Sequence, residues 1–175
     1  ISYRELKLNE ICRELFGEFI RHQNVTKCIR RENNKWMIKD DPFVDDWTEN
    51  DYKVLIEDLK NTINNNGFVY AAFYKGNLKG FVSIESALFG GKHKYIDLPN
   101  IYVSEDMRGK GIGKALFIEA KKQAKKRGAD KLYISAHSAV ESQKFYEAMG
   151  CVEAELYDKR HIEKEPYDCQ LECKV

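Results

Sequence analysis

At 175 residues and 20.4 kDa the chain can bury one ample core but falls short of two ordinary domains, so a single domain over residues 1–175 is expected. With 43% apolar and 33% charged residues and only 3 prolines, the composition excludes a disordered, collagen-like or low-complexity chain. Lys and Arg total 29 against 28 Asp and Glu, a formal charge of +1, so no global field draws the protein to nucleic acid or to a membrane, and neither is expected as a partner.

The longest apolar run, Phe68 to Tyr74, is far below the roughly 20 residues that cross a bilayer, and the first residues lack a secretory apolar core. A cytoplasmic protein is expected. The cysteines Cys12, Cys28, Cys151, Cys169 and Cys173 show neither a CxxC nor a Cys/His ligand spacing, which predicts reduced thiols and no metal.

In chain order, Ser2 to Leu6 reads as a weak strand. Leu8, Ile11, Cys12, Leu15, Phe16, Phe19 and Ile20 then recur at helical spacing, which predicts a helix over 5–21. Residues 22–47 carry no firm periodicity and read as irregular, acidic toward the end. Thr48 with Asp51 three residues on opens a helix over 49–64, with Tyr52, Leu55, Ile56, Leu59 and Ile63 on its face and Asn64-Asn65-Asn66-Gly67 as its stop.

The period then changes. Gly67–Tyr74 and Leu78–Glu85 flank Lys75-Gly76-Asn77, which predicts a hairpin. A strand over 94–103 runs into the glycine-rich segment Arg108-Gly109-Lys110-Gly111-Ile112-Gly113, and Ile112, Ala115, Leu116, Ala120 and Ala124 line a helix closed by Gly128. A strand over 131–136, a capping box Ser138 to Glu141 opening a helix to Met149-Gly150, and strands over 151–158 and 167–174 with a polar connector complete the chain. The strand, helix, strand order predicts a parallel crossover.

A loop of small residues entering a helix leaves several backbone N–H groups unpaired at the positive end of the helix dipole, a natural seat for a pyrophosphate. A P-loop would need Gly at position 108 and Ser or Thr at 115, where Arg108 and Ala115 stand; a dinucleotide fingerprint would need a third glycine where Lys114 or Leu116 stands. Cationic Arg108, Lys110 and Lys114 oppose the dipole unless an anion is bound, which also favours a ligand.

The spacing Arg108-x-x-Gly111-x-Gly113 closely resembles the acetyl-coenzyme A loop of the GCN5-related N-acetyltransferases (GNAT). Further on, Phe145-Tyr146-Glu147-Ala148-Met149-Gly150-Cys151 resembles that family's second signature, with Cys151 where an aromatic is usual. The resemblance is detailed over about residues 95 to 152. It implies an α/β fold of the mixed α+β kind, with a central mixed, mostly antiparallel sheet of about six or seven strands flanked by about four helices.

It further implies acetyl-coenzyme A as co-substrate and direct transfer of the acetyl group to an amine. By the resemblance, the backbone of Ile101, Tyr102 and Val103 pairs with the pantetheine arm, and Arg108, Gly109, Lys110, Gly111, Ile112, Gly113 and Lys114 wrap the pyrophosphate. Tyr146 is the implied proton donor to the departing thiolate, and an amide of the Ile101 to Val103 strand the oxyanion partner. Asp97 and Glu85 are the candidates for the base, with His93 and His137 as further proton carriers. The family's coenzyme A-binding Asn falls at Ala139 here, and Ser138 or Ser142 is the candidate replacement.

The resemblance also implies that the acceptor enters beside residues 22–50, where Asp40, Asp41, Asp45, Asp46 and Glu49 accompany Trp36 and Trp47, a set suited to a cationic small-molecule amine. Acetylation of a protein N-terminus or lysine and a non-catalytic coenzyme A-binding module are the alternatives, and a homodimer is compatible with the reading. The basic run Lys121-Lys122 with Lys125-Lys126-Arg127 sits near a helix C-terminus and reads as a solvated face.

Overall fold

A computed structural model describes all 175 residues. Its strands form two sheets and a separate hairpin. The first sheet has the order β1 (Ser2–Glu5), β4 (Phe68–Tyr74), β5 (Asn77–Ile84), β8 (Asn100–Val103), all antiparallel. The second has the order β10 (Val152–Glu153), β11 (Cys169–Lys174), β9 (Lys131–Ala136), β7 (Tyr95–Asp97), β6 (Leu88–Phe89), in which β7 and β9 run parallel. The hairpin pairs β2 (His22–Glu32) with β3 (Lys35–Asp46). Four α-helices complete the mixed α+β architecture: α1 (Glu49–Asn64), α2 (Ile112–Lys126), α3 (Val140–Ala148) and α4 (Lys159–Lys164).

Strands β4 and β5 are apolar on both faces because both faces are covered. Val69, Ala71, Phe73, Leu78 and Phe81 meet Tyr52, Leu55 and Leu59 of α1, while Phe68, Ala72, Val82 and Ile84 join Ile112, Leu116, Phe117 and Ala120 of α2. Between them, Lys75 (φ 50°) and Gly76 (φ 82°) form the tight turn that the sequence predicts. At the start of α1, Thr48 Oγ1 accepts from Asp51 N–H and the Asp51 carboxylate accepts from Thr48 N–H, as the capping spacing requires.

The strand predicted over 94–103 is two strands. β7 hydrogen-bonds to β9 and β8 to β5, and the chain changes sheet at Leu98-Pro99. Proline has no N–H for a ladder, so the break falls where a donor is missing. Beyond this point the sheets diverge, and β8 is left as the edge of its sheet.

The helix expected over 5–21 is instead a pair of short 3-10 turns, Leu8–Glu10 and Arg13–Phe16, the second ended by Gly17. Its apolar spacing is real, for Ile11, Phe16 and Phe19 are buried against α1, but one turn at a time is enough to present them. The region expected to be irregular, 22–47, is the longest hairpin of the molecule. Asn33 (φ 48°) and Asn34 (φ 60°) are its turn, and a basic β2 faces an acidic β3, with Arg30 on Asp41 and Lys27 opposite Asp40.

Two smaller differences occur near the C-terminus. The strand expected over 151–158 shortens to β10, and the polar connector contains α4. Ser138 does not cap α3: the N-cap is Ala139, without a side-chain hydrogen bond.

Candidate active site

The divergence of β8 from β9 opens a cleft of about 820 Å³. One wall is β8 with the loop into α2, the opposite wall is the end of β9 with α3, and β2, β3 and Trp47 close the far side.

The loop presents main chain. Arg108 N–H bonds back to the Glu105 carbonyl, and the next backbone bond is Ala115 N–H to Gly111 O, so the amides of Gly109 through Lys114 have no backbone acceptor. Gly111 is the N-cap of α2 with φ 79°, and a Cβ there would meet nothing within 4 Å. Glycine is therefore needed at this position for its left-handed backbone rather than for clearance. Gly113 has the opposite reason: a Cβ would stand 3.1 Å from the Phe145 ring, so its absence lets the start of α2 pack on α3. Six free amides at the positive end of a helix of 15 residues can hold a multiply charged anion.

The β8 edge is also open. Ser104 N–H bonds to the Lys79 carbonyl, and in an antiparallel ladder the bonding positions alternate, so Tyr102 and Asn100 turn toward β5. Ile101 and Val103 therefore turn their N–H and C=O groups to the cleft. The Val103 carbonyl takes a long bond from Arg108 Nε, 3.4 Å.

Tyr146 and Ser142 of α3 line the cleft with Phe145 and Met149. Desolvation, with smaller contributions from the charges of Tyr102, Cys151 and Asp168, pushes the Tyr146 phenol well above its ordinary range and keeps it protonated. Cys151, at the aromatic position of the second signature, is buried in the main core, and its N–H bonds to the Tyr146 carbonyl.

On the far side Arg21 is nearly buried, paired with Asp45 and stacked between the rings of Trp47 (5.4 Å) and Tyr102 (5.3 Å). Its Nε has no partner. Gln23 and Asn24 line the same side. At the end of β9 are Ser135 and His137; the His137 Nδ1 accepts from Ala139 N–H, which leaves Nε2–H as that ring's donor.

Of the residues singled out from sequence, Ile101, Tyr102, Val103, Arg108, Gly109, Gly111, Ile112, Gly113, Lys114, Ser142, Tyr146 and His137 line the cleft. Others do not. Asp97 accepts from His161 Nε2 at 2.8 Å and raises that imidazole's pKa, and Glu85 accepts from Thr62 Oγ1 at 2.6 Å; neither carboxylate lines the cleft. Asp97 is held on α4 through His161, and Glu85 on α1 through Thr62. Lys110 folds its amine over Met107 and Asp106, and Ser138 is buried with its hydroxyl on Arg30. His93 faces Glu155.

The acidic group is mostly spent on the hairpin and its surroundings. Asp41 pairs with Arg30, Asp46 with His22, Glu49 with Arg13, and Asp40 faces Lys27, so Asp45 alone of the set lines the cleft. Trp36 donates to Glu153, away from the opening. Sequence reasoning missed Arg21, Gln23, Asn24, Ser135 and Glu141. The mirrored charges about Asn33-Asn34 are the signal that would have revealed the hairpin and, with it, the first three.

In this mixed α+β frame the two sheets part beside a glycine loop that leads into α2. The sequence pattern of the Acetyltransferase (GNAT) family matches residues 31–151. The chain belongs to that family and is an acetyltransferase. No protein with a curated description matches the sequence.

Solved structures share the fold. A Bacillus anthracis protein described as a streptothricin acetyltransferase, in complex with acetyl coenzyme A, is 20% identical, with 99% of this chain and 98% of that one covered and a TM-score of 0.69. A nourseothricin acetyltransferase is 18% identical, with 98% and 95% covered and a TM-score of 0.68. An aminoglycoside 6'-N-acetyltransferase complexed with coenzyme A is 16% identical over 68% of this chain and 78% of its own, with a TM-score of 0.52.

Proposed function

We propose that the chain, acting as one domain, moves the acetyl group of acetyl-coenzyme A directly to the primary amine of a small molecule in a ternary complex. The observation that carries this reading is the meeting, in one cleft, of the free amides of Gly109 to Lys114, the open edge of β8 and the protonated Tyr146.

The loop amides bind the pyrophosphate, and the outward backbone groups of Ile101 and Val103 bind the pantetheine arm and then the developing oxyanion, at no reorganisation cost because the strand already holds them. Arg108 and Lys114 add positive charge, which is worth little individually on exposed side chains. Ser142, rather than the buried Ser138, replaces the missing Asn. Tyr146, kept protonated by its surroundings, gives its proton to the departing thiolate. No cysteine lines the cleft, which favours direct attack by the amine over a thioester on the enzyme.

A small acceptor is supported by the closure of the cleft by β2, β3 and Trp47, where a peptide would need a through-running groove. It is supported too by neighbours named for nourseothricin, streptothricin and aminoglycoside acetylation. Acetyl-coenzyme A consumption measured by thiol release across a panel of free amines, amino acids and peptides tests the reading. Turnover on free amines is expected. Turnover on peptides alone would replace it with protein acetylation, and tight coenzyme A binding without turnover would replace it with a binding module.

A further inference from the structure

One polar face in the molecule is used by none of the steps above. On β9, Leu132, Ile134 and Ala136 point to the main core, while Tyr133 and Ser135 point to the other side, where β11 sets Gln170 opposite Ser135. A chain of hydrogen bonds runs along this face, and its polarity is fixed from one end. Asp158 N–H donates to the Tyr133 hydroxyl at 3.0 Å, so that hydroxyl's own hydrogen goes to Gln170 Oε1 at 2.6 Å. This orients the amide with Nε2 toward Ser135 Oγ, at 3.1 Å. Ser135, already accepting, sends its hydrogen to Asp168 Oδ2, at 3.0 Å.

A hydroxyl has one hydrogen and two lone pairs. With its hydrogen on Asp168 and one lone pair on Gln170, Ser135 keeps a single lone pair free, and it lines the cleft. That is the arrangement required to take an N–H from an incoming amine while handing a proton onward. We infer that Ser135 is the group that receives the proton of the attacking amine, with Asp168, acting through it, as the proton's destination. The inference rests on the transferase reading above and supplies the base that Asp97 and Glu85 do not.

The step balances. As the amine nitrogen bonds to the thioester carbon, one N–H proton passes to Ser135 Oγ and the Ser135 proton passes to Asp168 Oδ2. The C–S bond breaks and the thiolate takes the Tyr146 proton. After release Asp168 returns a proton to solvent and Tyr146 regains one, so the net reaction is amine plus thioester to amide plus thiol.

The surroundings of Asp168 suit it to hold a proton. Burial, and the charge of Glu165 from the segment after α4, raise its carboxyl above the ordinary range, while the Ser135 hydrogen bond and the charges of His137 from the end of β9 and His161 from α4 oppose that rise. Its own charge reaches Tyr102 on β8, Tyr146 on α3 and Cys169 on β11, raising all three, which puts the carboxylate within electrostatic reach of the proton donor.

The test is kcat/KM against pH for Asp168→Asn and Ser135→Ala on an amine the wild type acetylates, with coenzyme A titration and thermal unfolding as checks of folding. Asp168→Asn is expected to lose roughly 10²-fold near neutrality, Ser135→Ala roughly tenfold or more, and the double variant no more than the worse single. Toward acid pH the wild-type profile should fall more steeply than protonation of the amine alone requires, because Asp168 must be ionised to accept the proton, and Asp168→Asn should lose that extra fall; a merely structural defect would lower the profile evenly. Unchanged profiles in both variants, or losses that multiply in the double variant, overturn the relay and leave the transferase reading standing. A wild type that acetylates no amine removes both.

Discussion

The two sides of the cleft are built from different materials. The side proposed for the donor is main chain: unpaired amides of the α2 loop and the free edge of β8, in which glycine sets the backbone path at Gly111 and allows close packing at Gly113. The side proposed for the acceptor is side chains: Arg21, paired with Asp45 of β3, lies against the rings of Trp47 and of Tyr102 on β8. Main-chain sites depend on a few backbone angles and tolerate exchange of the side chains around them. Side-chain sites can change ligand by a single substitution, so one donor can be served to many acceptors.

The largest break in this comparison comes where the sides meet. Tyr146→Phe should lower kcat roughly 10²- to 10⁴-fold with little change in coenzyme A affinity, as read by steady-state kinetics and titration calorimetry. On the donor side, Gly111→Val forces a β-branched residue to φ 79° at a cost of about 1–3 kcal/mol, shared between stability and coenzyme A binding. Calorimetry should give a weaker dissociation constant, while the KM for the amine moves far less. On the acceptor side, Asp45→Ala leaves the nearly buried Arg21 guanidinium without its carboxylate, which should cost about 1–3 kcal/mol by urea unfolding. It should alter the KM for the amine and leave the coenzyme A dissociation constant as it was.

The same contrast explains what the sequence made legible. Gly111, Gly113 and Tyr146 were readable because main-chain sites leave their mark as glycine spacing and a following signature, and the β4–β5 hairpin was readable from Lys75-Gly76 between two apolar runs. The β2–β3 hairpin was not, since β3 is mostly exposed, β2 buries only Val25 and Cys28, and alternation of apolar and polar residues is lost. Only its mirrored charges and Asn33-Asn34 betray it. The two turns over 8–16 imitate a helix because contact with the core, rather than helix length, sets apolar spacing. Asp97 and Glu85 drew notice by position along the chain, but His161 of α4 and Thr62 of α1 hold them outside the cleft, and Ser135 and Asp168 come together only through the β9–β11 register.

The central claim is that the amides of Gly109 through Lys114 grip the diphosphate of the donor. Backbone amide NMR with and without coenzyme A tests it most directly: those six N–H signals should move and become protected from hydrogen exchange, with dephospho-coenzyme A producing the same change and acetyl-pantetheine, which lacks the diphosphate, producing little of it. Signals that stay unchanged and unprotected while coenzyme A binds elsewhere would contradict the account.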